Sequence, residues 1–489
     1  MNRFTRLALL ALIMITVQGC GRRSEGPLPI ALIGDAAGFN GAGVRLPLAG
    51  QIFRAATTEG LVGFDAEGRV VPSIAERWII TDDGASYIFR LRGGNWPDGT
   101  PISAETAASA IKKALAALKG TALGLDLAGI SQVRVMASRV IEIDLIAPEP
   151  DLLTLLAQPE LGLPRGKLGA GPMKAKRENG KLSLLLIPPE KRGLPPQDNF
   201  ASRTRTLEIE LVSPSRGVAR FNDGFVDALL GGRIDSLPLA QVARLARGNV
   251  QLDPVIGLFG IMVENDKGFL AESPNREALA LAIDRDALIA GFNIGGWQST
   301  TRIVAADIPG DLGTVGERWV GMAMAQRRAL AAEQVARWRT TGDPAPALRI
   351  ALPNGPGSQL VFSRLRSDFS LIGITLSRVG EAAPADLRLI DVAARYGRAA
   401  WFLNQLACTV HKAACSQVGD VRLAEARAAK DPRERAALLG EAEAEITSAN
   451  GYIPIARPLR WSLVRSSVTG FAPNAMGWHP LPPLAVIPR

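Results

Sequence analysis

The chain has 489 residues, 47% of them hydrophobic and 21% charged. That length suffices for two or three domains with sizeable cores, and the composition excludes both a small cross-linked scaffold and a largely disordered chain. The formal charge of +9 comes from 45 Arg and 11 Lys against 47 Asp+Glu, but the cations are scattered, pairs such as Lys112-Lys113 and Arg327-Arg328 are the densest groups, and aromatics are only 5%. A nucleic-acid surface needs a concentrated basic stripe interleaved with aromatics, so no nucleic-acid partner is expected.

At the N-terminus Arg3 and Arg6 precede an apolar run from Leu7 to Ile15, followed by Val17-Gln18-Gly19-Cys20. The run is too short to span a bilayer. It resembles a bacterial lipoprotein export signal over residues 1–19, which implies acylation of Cys20, a short linker over 20–27 and a mature chain tethered to the membrane outside the cytoplasm. An ordinary cleaved signal with an incidental cysteine is the alternative. In that oxidising compartment Cys408 and Cys415 form an even pair, and a local disulfide is the economical reading. His411 completes a Cys-x2-His-x3-Cys spacing open to zinc or another soft metal, but a tetrahedral site needs a fourth ligand and the other histidine, His479, is far off in sequence. No metal and no cofactor are expected.

Leu28 to Ile33 is an apolar strand. Tyr87, Phe89 and Leu91 alternate as one strand face, and Ile141, Ile143 and Leu145 as another. Between them Ser103 caps a helix whose apolar positions Ala107, Ile111, Ala114, Leu115 and Leu118 recur at helical spacing until Gly120. Residues 167–205, rich in Gly, Pro and Lys, read as turns around a strand from Leu182 to Ile187, and Leu207, Ile209 and Leu211 mark the next strand. Leu348 to Leu352, a helix from Gln359 to Ile372 stopped by Gly373, and Ile374 to Val379 make a strand-helix-strand unit of about 30 residues, the mark of a parallel α/β crossover. Asp431, with Pro432 at the first helical position, caps a last long helix ending near Gly451.

Catalytic signatures are missing. There is no G-x-S-x-G, no H-E-x-x-H and no Walker-type loop, and two histidines leave little for imidazole-based hydrolysis. The chain is read as a binding protein rather than an enzyme.

From Glu59-Gly60-Leu61 through Pro72-Ser73-Ile74-Ala75-Glu76-Arg77-Trp78, Asp82-Asp83-Gly84, Tyr87-Ile88-Phe89-Arg90-Leu91 and Trp96-Pro97-Asp98-Gly99-Thr100-Pro101-Ile102-Ser103, the chain resembles the family 5 extracellular solute-binding proteins. Gly169-Ala170-Gly171-Pro172, Ala282-Ile283-Asp284-Arg285, Tyr452-Ile453-Pro454-Ile455 and Val468-Thr469-Gly470-Phe471 continue the match in family order. Most of these are scaffold: Asp98-Gly99 and 169–172 supply turns, Trp78 and Trp96 core area, Asp284 and Arg285 a helix end. The resemblance implies an α/β, two-lobed, class II type periplasmic-binding-protein-like fold with an extra domain inserted in the first lobe. Lobe I would comprise 28–48, 164–252 and 458–489, the inserted domain 49–163, and lobe II 253–457.

It further implies a monomeric substrate-binding lipoprotein of an ABC importer, on the periplasmic side of the envelope, that encloses a peptide or other small solute between its lobes and hands it to permease subunits. Peptide-binding members clamp the ligand's α-ammonium with an aspartate seven residues before a Phe-Leu-Asn-like run. Here that run is Phe402-Leu403-Asn404, and Arg395 stands seven residues back, with Arg398 in place of a further acid. A cation against a buried ammonium would cost about 4 kcal/mol at 4 Å and an effective dielectric of 20, so the usual amine anchor is expected to be missing; the ligand contacts that the resemblance implies are Arg395 and Arg398, with Tyr396 and Trp401 flanking the same loop. Leu48 and Gln51 would approach from the opposite lobe. Two guanidiniums would suit a carboxylate or phosphate, which keeps an anionic non-peptide solute open as the ligand, and a surface lipoprotein acting as sensor or chaperone open as the role.

Overall fold

The computed structural model describes residues 26–35, 43–96, 98–165, 168–178, 181–241, 248–340 and 344–488. The export signal and Cys20 lie outside them. Among the described residues no helix is long and apolar enough to cross a membrane.

Two large mixed sheets and one smaller antiparallel sheet organise the chain. The first is seven-stranded. At its centre Leu28–Ile33 pairs in parallel with Leu207–Val212 and Ala228–Gly232. Leu28, Ile30, Ala31 and Leu32 are all buried, as a strand covered on both faces requires. Arg460–Val464 returns from near the C-terminus to pair antiparallel with Ala228–Gly232 and with Val250–Asp253. Met173–Glu178 closes the other edge, antiparallel to Lys181–Leu186. This edge strand is not readable from its sequence, Met-Lys-Ala-Lys-Arg-Glu, because only Met173 reaches the core; ladder pairing, not an apolar face, holds it.

The second sheet is five-stranded, in the order Thr375–Gly380, Ala347–Leu352, Leu387–Ala393, Gly257–Val263, Tyr452–Ala456. The expected crossover is present: Ala347–Leu352 and Thr375–Gly380 are parallel neighbours joined by the helix Pro356–Ser370. That helix begins three residues before Gln359 because Pro356 occupies its first position. Leu360 is 39% exposed and lies on its outer face. Asp431 caps Pro432–Ala449, accepting from the backbone N–H of Arg433 at 2.6 Å and Glu434 at 3.2 Å. Asp284 caps Arg285–Ala290 through the N–H of Ala287.

The smaller sheet, Ala75–Ile80, Ser86–Leu91, Val140–Leu145 and Ile130–Ala137, is antiparallel throughout. It packs Tyr87, Phe89, Leu91, Ile141 and Ile143 against the helix Ala104–Ala117, which Ser103 opens with a capping box. Gly169 and Gly171 serve a different end from the turn expected of them: neither has positive φ, and a Cβ on either would collide with the backbone of Thr57 and Thr58. Close backbone approach is why glycine stands there.

The chain passes twice between the two large sheets, from Asp253 to Gly257 and from Ala456 to Arg460. Leu118, Leu123, Leu127, Leu155 and Leu161, around the smaller sheet, share one hydrophobic cluster with Tyr396, Trp401, Phe402 and Leu403 after the second.

Candidate functional site

A cavity of about 300 Å³ opens where these parts meet. The helix Leu48–Thr57 contributes Leu48 and Gln51, the end of strand Leu387–Ala393 contributes Asp391 and the following Ala394 and Arg395, and the first sheet contributes Arg233 and Arg460. Met476, Gly477 and Trp478 form an apolar wall.

Each side chain is held from behind. Gln51 donates to the Leu46 carbonyl at 3.1 Å. Arg460 Nη1 donates to Asp391 Oδ1 at 2.6 Å and Nη2 to the Asp391 carbonyl at 3.1 Å. Asp391 Oδ2 accepts from the Ile234 N–H at 3.3 Å and lies 3.7 Å from Arg233 Nε. Burial opposes the charge on Arg233, but the carboxylates of Asp391, Asp235 and Glu381 outweigh it and hold the guanidinium above its ordinary range.

Behind the apolar wall, Asn474 Oδ1 accepts from the N–H groups of Met476 at 3.0 Å and Gly477 at 3.1 Å. His479 Nε2 faces Asp253 Oδ2 at 3.3 Å while Nδ1 faces the Asn474 amide nitrogen at 3.3 Å. One assignment satisfies both contacts: Nε2–H donates to the carboxylate and Nδ1 accepts from the amide. His479 is therefore a support of the wall. Gly477 has φ +67°, and a Cβ there would meet Arg460 Cγ at 2.6 Å and Val255 Cγ1 at 2.8 Å. Gly477→Ala is expected to cost about 1–3 kcal/mol, from left-handed backbone strain and displacement of Arg460. Chemical denaturation of the variant checks this.

Of the residues singled out in the sequence, the cavity brings together Leu48, Gln51 and Arg395. Arg395 reaches across to the segment after Leu152–Leu156: its Nη1 donates to Gln158 Oε1 at 2.9 Å and Glu160 Oε2 at 3.0 Å, and Nη2 to Glu160 Oε1 at 2.8 Å. Glu160 in turn lines a second hollow of about 550 Å³, with Arg54, Trp96 and Lys113. The Arg395–Glu160 pair thus stands between two spaces.

The other three lie elsewhere. Arg398 turns away to pair with Asp151. Tyr396 is buried, its hydroxyl donating to Asp126 Oδ1 at 2.9 Å. Trp401 is fully buried, edge-on to Phe402 with ring centroids 5.0 Å apart. These two rings bind the second lobe to the inserted region, and the aromatic wall of the cavity is Trp478.

Cys408 and Cys415 form a disulfide. His411 Nε2 lies 2.8 Å from the Val263 carbonyl, and no group of three or more His, Cys, Asp or Glu among the described residues could hold a metal ion. Arg233, Asp391, Arg460 and Trp478 were not singled out in the sequence. They converge from strand ends and a C-terminal turn far apart in the chain, and the one local signal was Asn474-x2-Gly477, a turn pattern.

Residues 69–184 match the sequence model described as bacterial extracellular solute-binding proteins, family 5 Middle. That match covers about a quarter of the chain, which over this stretch is similar to the family 5 extracellular solute-binding proteins. The chain is 37% identical over 125 residues to the probable deoxycholate-binding periplasmic protein YgiS of Escherichia coli K12, covering 21% of the chain and 23% of that relative. It is 24% identical over 262 residues to the probable peptide ABC transporter periplasmic-binding protein y4tO of Sinorhizobium fredii, covering 50% of the chain and 46% of that relative. The matches thus span less than half of either curated relative. Over the whole fold, Haemophilus influenzae OppA in complex with RPPGFSPFR superposes with a TM-score of 0.80 at 19% identity, covering 94% of this chain and 99% of that one. The chain thus has the two-lobed periplasmic-binding-protein fold.

Proposed function

We propose that this chain is the solute receptor of an ABC importer, which encloses a peptide or peptide-like solute in the 300 Å³ cavity and presents the closed form to a permease. The observation that carries the reading is the cavity itself: segments of both large sheets and of the inserted region line or bound one space. Such a space exists only while these parts are together, so a solute that fills it stabilises the closed arrangement over the open one.

In this reading lobe I is 28–48, 164–252 and 458–489, the inserted domain 49–163 and lobe II 253–457. The membership of the three sheets supports that division. Cys20 carries the lipid, the protein acts as a monomer on the periplasmic side of the envelope, and it catalyses no reaction. The relatives named for deoxycholate and for peptides set the range of solutes to try.

The test is thermal unfolding of the mature chain with short peptides bearing free N-termini, the same peptides N-acetylated, and decanoate. A solute at 100 times its dissociation constant adds about 2.7 kcal/mol of stability, a readable rise in Tm. At least one class is expected to stabilise. Failure of all three classes at millimolar concentration would overturn the receptor reading.

A further inference from the structure

We infer that the cavity selects its solute by a negatively charged end, a carboxylate or a group of like geometry, held by Arg233 and Arg395, and that it disfavours a free ammonium. This rests on the cavity being the solute site.

The lining carries three guanidiniums, of Arg233, Arg395 and Arg460, against one carboxylate, that of Asp391. Asp391 is spent: Arg460, Arg233 and the Ile234 N–H already occupy it from the protein side. The other carboxylate at hand, Glu160, is only 2% exposed and engaged on both oxygens by Arg395. Among the described lining residues no acid is left to receive an ammonium.

The cations are differently placed. The side chains of Arg233 and Arg395 keep 36% and 25% of their surface exposed. Arg233 spends Nη2 on the Asp391 carbonyl at 3.1 Å, and its Nε has no hydrogen-bond partner. That Nε is buried and faces Asp391 Oδ2 at 3.7 Å, so it is the exposed remainder of the guanidinium that can meet an anion in the cavity. The wall also carries the apolar Leu46, Leu48, Met476 and Trp478, alongside the amides of Gln51 and Gln158. The complementary solute is an amphipathic organic anion: an apolar body with an acidic end and no exposed cation. An N-blocked peptide with a free C-terminus and a simple organic acid both have this chemistry.

The experiment compares, by calorimetric titration of the mature chain, four probes: a tripeptide with both termini free, its N-acetyl form, its N-acetyl C-amide form, and decanoate. The N-acetyl acid is expected to bind at least tenfold tighter than the free-amine form and at least tenfold tighter than the C-amide. Tighter binding of decanoate than of the N-acetyl acid would identify the simple organic acid as the better source of the same anion. Arg233→Gln is expected to weaken the N-acetyl acid 10- to 100-fold while leaving the C-amide within about threefold, and Arg233→Lys to recover part of the loss. Circular dichroism and Tm establish that the variants fold, and Arg395→Gln provides a second probe of the same anion.

If the free-amine peptide binds as well as its acetylated form, or Arg233→Gln and Arg395→Gln both leave the acid's affinity unchanged, the charge assignment fails while the receptor reading stands. If none of the four probes binds, the receptor reading fails with it.

Discussion

Asp391→Ala is expected to lower the stability of the chain by about 3–5 kcal/mol, the range for breaking a buried ion pair and leaving its partner behind. Arg460 and Asp391 have side chains only 7% and 5% exposed, with Nη1 and Oδ1 at 2.6 Å. Arg460 belongs to the seven-stranded sheet and Asp391 to the five-stranded one, so the pair ties the two lobes together beside the chain crossings. Without the carboxylate, Arg460 keeps only the carbonyls of Leu459 and Asp391, and Arg233 loses its largest opposing charge. Arg460→Ala should cost less, because Asp391 keeps Arg233 Nε at 3.7 Å and the Ile234 N–H at 3.3 Å. The double variant should cost well under the sum, because neither charge is then left alone. Denaturant midpoints of the three variants check this, and additive losses would mean that the two groups are not coupled.

Asp126→Asn is expected to abolish part of the pH dependence of stability and to stabilise the chain near neutral pH. Burial raises the Asp126 carboxyl to about 7, against hydrogen bonds from Asn404 and Tyr396 and the charge of Arg395, with Glu149 adding to the rise. Its Oδ1 accepts from Asn404 Nδ2 at 2.8 Å and from the Tyr396 hydroxyl, while Oδ2 is buried without a partner. Between about pH 4 and 7 the unfolded chain has released this proton and the folded chain retains it. Stability therefore falls as pH rises through that window and levels off above it. Each tenfold difference in the ionisation equilibrium is about 1.4 kcal/mol, so the loss is a few kcal/mol. Asparagine keeps an acceptor at Oδ1 and carries no charge into the core. Its amide faces a cavity of about 40 Å³ that Glu149 also lines, room for a water. The variant should match the parent near pH 4, exceed it above pH 7, and retain only the slope of other buried carboxyls such as Glu443, which burial also raises to about 7. Equal Tm-versus-pH curves for the two proteins would refute this.

Local features were legible in the sequence, and contacts across the fold mostly were not. Ser103 and Asp431 announce their helices because a cap acts within three residues, and the crossover around Ala347–Leu352 and Thr375–Gly380 reads from alternating apolar runs. Leu48, Gln51 and Arg395 were found through the family resemblance and do meet at one cavity. Trp401 is buried away from the cavity, on the helix Ala399–Asn404, which is too short to show which face is buried, and Tyr396 precedes that helix in an irregular segment with no periodicity to read. The Arg233, Asp391 and Arg460 constellation left no trace, since its members stand 158 and 69 residues apart and meet only after both sheets have formed. Arginine is so abundant here that no single one draws notice.

The Arg395–Glu160 pair has a consequence for the length of what can be held. It divides the 300 Å³ cavity from the 550 Å³ hollow lined by Glu160 and Arg54. Glu160 is only 2% exposed, so parting the pair would leave a buried carboxylate without its partner, at a cost of about 3–5 kcal/mol. With the pair made, the chamber ends at Arg395 and accepts a compact guest. The pair is thus a fixed end-stop, and the space on its near side sets the size of guest the chamber takes.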